Sequence, residues 1–310
     1  MYLFLYGSCV SFGTSAEEYY TIGMAYFELG KFEEAERWLN RAKAADKTKV
    51  ASEYNLGRIA FETGRYGEAA LIFDRILARD PQNTMALRAA AYTRIKSGEL
   101  VKAEQYYQKI LALIPESVDD GYNYALVLFA VKKFEEAEKT LLKNPYALED
   151  NRDILLLYAR VQKAQDKVEA ADTYAKFLIN NSDPKARYEY AQVLEAAELY
   201  AKAVEEYRTT LTELSQDTAD LKQQDVRFGL ARVLLIADGE NPEGFTELEG
   251  AVSNGFTDTE ALEDLALNEK LSPANRSRVQ DIANRLKQIP AEEEAVLEAE
   301  PEAGSDEAQK

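Results

Sequence analysis

The chain has 310 residues, 46% hydrophobic and 30% charged, with a formal net charge of −18. That length suits one large domain, two ordinary ones or a repeat array, and the negative balance argues against a protein that tracks nucleic-acid phosphates. With no histidine and a single cysteine, the commonest general base, the commonest metal ligand, an intrachain disulfide and a Cys-based zinc site are all missing.

Residues 1–14 form an apolar leader without Lys or Arg, and its apolar start is too short for a membrane-spanning helix. Two readings stand for it: an export-signal remnant, with Cys9 as a lipid acceptor after small residues, or a plain apolar leader. The first sets the protein on the cell-envelope or periplasmic side of a bacterial-type cell; the alternative is the cytoplasm. Membrane contact is expected only through this leader or its lipid.

From residue 15 onward a helical pattern begins. Tyr19, Ile22, Gly23 and Tyr26 fall on one helical face. Gly30 then stops the helix, because glycine takes the left-handed conformation cheaply. Phe32, Ala35, Leu39 and Ala42 make the buried stripe of a second helix.

The same arrangement returns with a step of 34. KFEEAE occurs at 31–36 and again at 133–138, three steps apart. Gly23 is followed by Gly57, Ala91, Ala125 and Ala159, all small, as close helix crossings require. Gly30 is followed by Gly64 and Gly98, then by Lys132 and Asp166. Ala35 leads to Ala69, Ala103, Ala137 and Ala171, and a step of 32 then reaches Ala203. Pro81 and Pro115 close the second and third units. A fixed period of this length predicts stacked repeats of two helices each. The fourth unit departs from the pattern, since Asn144-Pro145 is expected to cut its second helix short.

Beyond residue 214 the period loosens. Residues 223–237 and 245–252 are expected to form a degenerate helix pair, and 257–271 and 274–288 two capping helices, with Ser272-Pro273 as cap and first turn. The capping role follows from the need to cover the last apolar face of an array. Residues 291–310 hold eight acidic residues against one lysine, and composition predicts a solvated tail. The division expected is therefore 1–14 leader, 15–214 six repeats, 215–290 degenerate pair plus caps, and 291–310 tail.

This pattern resembles the tetratricopeptide repeat family over 15–214. The unit has an early aromatic or large apolar residue, a leucine-like residue, a small residue and an aromatic. An alanine in the second helix and a closing proline follow. The first unit supplies Tyr19, Ile22, Gly23, Tyr26 and Ala35, with Lys47 in place of the proline. The second supplies Leu56, Gly57, Ala69, Phe73 and Pro81, and the sixth Tyr190, Ala191, Leu194, Ala203 and Tyr207. The resemblance implies an all-α fold, a right-handed α-solenoid of stacked antiparallel helix pairs whose first helices line a concave groove. It also implies a protein or peptide partner held in that groove.

The slots that would face the groove carry Tyr20, Tyr54, Arg88 and Tyr122 in one row. A second row has Arg58, Tyr92 and Arg160, and a third Asn55 and Asn123. Asparagine can bond both polar groups of a peptide backbone, and tyrosine and arginine are common interface anchors. The clamp by which chaperone-adaptor members hold a C-terminal carboxylate is not expected: Tyr20, Met24, Asn55, Met85 and Ala89 occupy its slots, and only Asn55 matches.

No phosphate-cradling glycine loop, zinc-protease motif or nucleophile elbow is present. The carboxylates fall on outer faces at helical spacing, as with Glu33–Arg37 and Glu135–Lys139. No catalytic residue, metal or cofactor is therefore expected. The expected function is a non-enzymatic interaction scaffold. The alternatives are a self-assembling, homo-oligomeric envelope protein and a subunit of a transport complex.

Overall fold

The computed structural model describes residues 15–46, 50–179, 181–214 and 221–288; the leader with Cys9, Lys47 and the acidic tail lie outside them. The described residues form seventeen helices and no strand. The chain divides into two compact units between Gln165 and Asp166.

The first unit contains α1 (Ala16–Glu28), α2 (Phe32–Ala45), α3 (Val50–Glu62), α4 (Tyr66–Arg79), α5 (Thr84–Lys96), α6 (Leu100–Leu113), α7 (Val118–Ala130), α8 (Phe134–Leu141), α9 (Pro145–Asp150) and α10 (Arg152–Lys163). From α1 to α8 each helix packs on the next, so the unit is a solenoid of helix pairs around one continuous core. Ala35, Ala69, Ala103 and Ala137 are fully buried, where a larger side chain would push two helices apart. Gly57 serves the same end: a methyl group there would meet the Phe73 ring at 2.7 Å. In α1 only Gly23 is buried, while Tyr19, Ile22 and Tyr26 stay half-exposed. The proline at 145 acts as foreseen: α8 stops after eight residues, and Pro145 opens the short α9.

The turn between the two helices of each repeat is where the period is most exact in backbone terms. Gly30, Gly64, Gly98, Lys132, Asp166 and Glu198 all have positive φ, between 52° and 77°. In the first turn Gly30 N–H donates to the Phe27 carbonyl and Lys31 N–H to the Tyr26 carbonyl, both at 2.9 Å. These bonds satisfy carbonyls that the ending helix would otherwise orphan. The long bond recurs at Arg65, Glu99, Lys133 and Leu199. Three repeats thus keep the left-handed residue after losing the glycine.

The second unit contains α11 (Ala170–Leu178), α12 (Pro184–Ala196), α13 (Tyr200–Glu213), α14 (Gln223–Ala237), α15 (Pro242–Ser253), α16 (Thr259–Ala266) and α17 (Pro273–Lys287). Two clusters fill it, one around Tyr207 and Leu230, the other around Phe228, Phe245 and Val279. Ser272 caps α17, its hydroxyl accepting from Asn275 N–H, with Pro273 in the first turn. Helix α16 is shorter than expected, ending at Ala266.

One register assignment changes. The buried alanine at this place in the fifth repeat is Ala170, at the start of α11, and not Ala171, which is half-exposed. Only four positions separate Asp166 from this alanine, against five between Lys132 and Ala137, and α11 starts at the alanine itself, after a six-residue connector where α7 and α8 have three. Tyr174 follows four residues later and is fully buried, like Tyr207 four residues after Ala203.

Candidate partner-binding groove on the first unit

Tyr54, Arg58, Phe61 and Glu62 of α3, with Ala89, Tyr92 and Thr93 of α5 and Phe73 of α4, line an open cup of about 170 Å3. Its wall is aromatic for a structural reason. Phe61 repeats the position of Phe27 and Phe129, and each of these rings meets an aromatic at the start of the following helix: Phe32 at 5.6 Å, Tyr66 at 5.3 Å and Phe134 at 5.5 Å. The Phe61 ring also lies 5.1 Å from Tyr92, and Tyr54 lies 5.6 Å from the buried Phe73. Tyr92 is 47% exposed and stands at the rim.

Arg58 forms one side of the cup. Its guanidinium rests 4.5 Å from the centre of the Phe27 ring and donates one N–H to Asn55 Oδ1 at 3.1 Å. Asn55 is buried, and its amide donates to the Tyr20 hydroxyl and to the Ala51 carbonyl, each at 3.0 Å. Tyr20, Asn55 and Arg58 are therefore one network tying α1 to α3. Both amide hydrogens and the carbonyl of Asn55 are already used, so it is not placed to read a peptide backbone as its residue type suggested.

The other foreseen residues separate. Arg88 grips Asp120 of α7 with two nitrogens, at 2.7 to 3.1 Å, and the Ser117 hydroxyl donates to the same carboxylate at 2.6 Å. Burial pushes the Asp120 carboxyl up, but the Arg88 and Ser117 bonds outweigh burial and hold it below its ordinary value. Tyr122 is half-buried beside a second, much smaller cavity of about 30 Å3 with Val118, Leu141 and Ile154. Burial, then the nearby Asp153, raises its hydroxyl pKa. Asn123 is half-buried on α7, and Arg160 on α10 is already engaged within the chain. The structure thus gathers Tyr54, Arg58 and Tyr92 into one cup and puts Arg88, Tyr122, Asn123 and Arg160 outside it. Phe61 and Phe73 were missed as cup residues, although the 27, 61, 129 spacing of phenylalanines was there to be read.

Comparison with known proteins agrees with this geometry. Profiles of the tetratricopeptide repeat match residues 16–49, 54–118 and 160–218, together about half of the chain. The chain belongs to the tetratricopeptide repeat family. No curated protein matches its sequence. Among solved structures it is similar to a tetratricopeptide repeat protein from Parabacteroides merdae, at 20% identity and a TM-score of 0.58, over 83% of this chain and 100% of that one. It is also similar to residues 41 to the end of MamA from Desulfovibrio magneticus, at 20% identity and a TM-score of 0.50, over 54% of this chain and 94% of that one. At such identities the likeness concerns the fold alone.

Proposed function

We propose that this protein is a non-enzymatic scaffold that binds a segment of a partner protein along the first helices of its amino-terminal unit, centred on the cup between α3 and α5. The observation that carries the reading is the cup itself. An acidic tetratricopeptide repeat chain keeps a concave aromatic surface open there, with a cation on one wall and a half-exposed tyrosine on its rim. Repeat arrays bind through such extended surfaces, and buried aromatic and arginine anchors dominate interface energetics. No catalytic role is assigned to the cup.

Photo-crosslinking tests this. A photoreactive phenylalanine analogue at Tyr92, on the cup, is compared with one at Leu71, 65% exposed on α4. Adducts in the source cell are expected from position 92 and not from position 71. Adducts from position 71 alone would overturn the groove reading.

A further inference from the structure

Resting on that reading, we propose that the cup takes one large apolar side chain from an internal stretch of the partner, with a carboxylate near it in sequence seated on Arg58. Size argues for one side chain. At about 170 Å3 the cup is smaller than the roughly 300–1,000 Å3 typical of sites for drug-sized molecules. The chemistry of the lining argues for an apolar one, since Tyr54, Phe61, Phe73 and Tyr92 supply ring faces and edges.

The argument for an adjoining carboxylate is the state of Arg58. Its neighbours in the unit are neutralised: Arg65 holds Glu36 and Glu68, Arg79 holds Glu53, Arg88 holds Asp120, and Arg94 holds Asp74 and Glu99. Arg58 pairs with no carboxylate among the described residues; it has only the Phe27 ring and the Asn55 carbonyl oxygen. A guanidinium has five N–H donors, so most of its hydrogen-bonding capacity is left for a ligand. Glu62 is the single carboxylate lining the cup and is exposed. The ammonium of Lys96 stands 5.5 Å from the centre of the Tyr92 ring. The cup lining thus carries one cation held by no carboxylate of the described residues, in a chain of charge −18. A partner cation would have to approach Arg58 directly, whereas a carboxylate gains a charge-assisted bond there. The apolar anchor then supplies most of the affinity and the charge supplies selectivity.

A random heptapeptide phage library panned on the purified full-length chain tests the proposal, with Arg58→Glu and Ala89→Trp variants panned in parallel. The wild-type pool is expected to be enriched in a large apolar residue within two positions of Asp or Glu. The Arg58→Glu pool should exchange the acid for Lys or Arg at the same spacing, and the Ala89→Trp pool, its cup filled, should lose the apolar anchor. A synthetic peptide from the wild-type pool should bind Arg58→Glu at least about tenfold more weakly. A wild-type pool lacking the apolar–acidic pair, or an acidic preference unchanged by Arg58→Glu, overturns the proposal. If another motif is selected and Ala89→Trp abolishes it, this chemistry fails while the groove reading survives. A wild-type pool with no enriched motif, or one indifferent to Ala89→Trp, sinks both. The Arg58→Glu arm leaves the cup unfilled, so the proposal stays exposed to refutation even if the tryptophan variant fails to fold.

Discussion

The second and sixth repeats solve one packing problem with opposite charges. In the second, Glu53 of α3 is almost fully buried and pairs with Arg79 of α4, with Arg75 at 3.5 Å and Lys43 at 3.6 Å. In the sixth, Arg187 of α12 donates to Glu213 of α13 at 2.8 and 3.1 Å and to Glu206 at 2.7 Å. The offset from Glu53 to Arg187 equals that from Arg79 to Glu213, so these are the same two places in the repeat with the signs exchanged. In these two repeats a paired, partly buried site occupies these positions whichever helix carries the cation, whereas the third repeat has Leu87 and Leu113 there. A half-buried charge is costly alone and tolerable when matched.

Breaking one partner should have the largest effect. Arg187→Glu would set three carboxylates together, and a loss of about 3–5 kcal/mol is expected in denaturant unfolding monitored by circular dichroism. Double-mutant cycles sharpen the comparison: Glu53→Gln with Arg79→Gln, and Arg187→Gln with Glu213→Gln, should each return a coupling of about 1–2 kcal/mol. If one cycle gave zero coupling, the two sites would not be equivalent.

Acid should then probe the second repeat. Burial pushes the Glu53 carboxyl up, but the Arg79 bond and the charges of Lys43, Arg79 and Arg75 prevail, and its pKa lies below the ordinary value of 4.5. A depressed carboxylate contributes stability that is present above its unfolded-state pKa and is lost as pH falls through the folded-state value. Below about pH 4.5 the stability of wild type should therefore fall more steeply than that of Glu53→Gln, and parallel curves would refute the assignment.

The smallest effects lie in the left-handed turns, where early and late repeats also differ. Lys132→Gly and Glu198→Gly relieve a conformation that L side chains adopt with strain, and each should stabilise by up to about 1 kcal/mol; Gly64→Lys should cost about the same. Thermal melts of the three variants check this.

Much of the architecture could be read from residue spacing. The step of 34 located the turns at Gly30, Gly64, Gly98, Lys132 and Asp166, and every one has the left-handed backbone. Small residues at a fixed step reported helix crossings because a close approach leaves no alternative to Gly or Ala, as at Gly57 against Phe73. Site chemistry was less legible. The structure brings Tyr54, Arg58 and Tyr92 together at one cup, while Asn55 and Arg88 in the adjoining rows are engaged with Tyr20 and Asp120. A slot specifies where a side chain starts. It does not specify whether a tyrosine hydroxyl or a buried aspartate waits within reach, since those partners lie 35 and 32 residues away.

The connector before α11 has a wider consequence. Losing a residue inside a helix would rotate everything after it by about 100°, one residue's share of a 3.6-residue turn. Here the spacing shortens between Asp166 and Ala170, outside any helix, and α11 begins at the buried Ala170. The connector resets the phase. A change of length there is absorbed where it falls, and Ala203 with Tyr207 in the next repeat keeps the four-residue spacing of Ala170 with Tyr174.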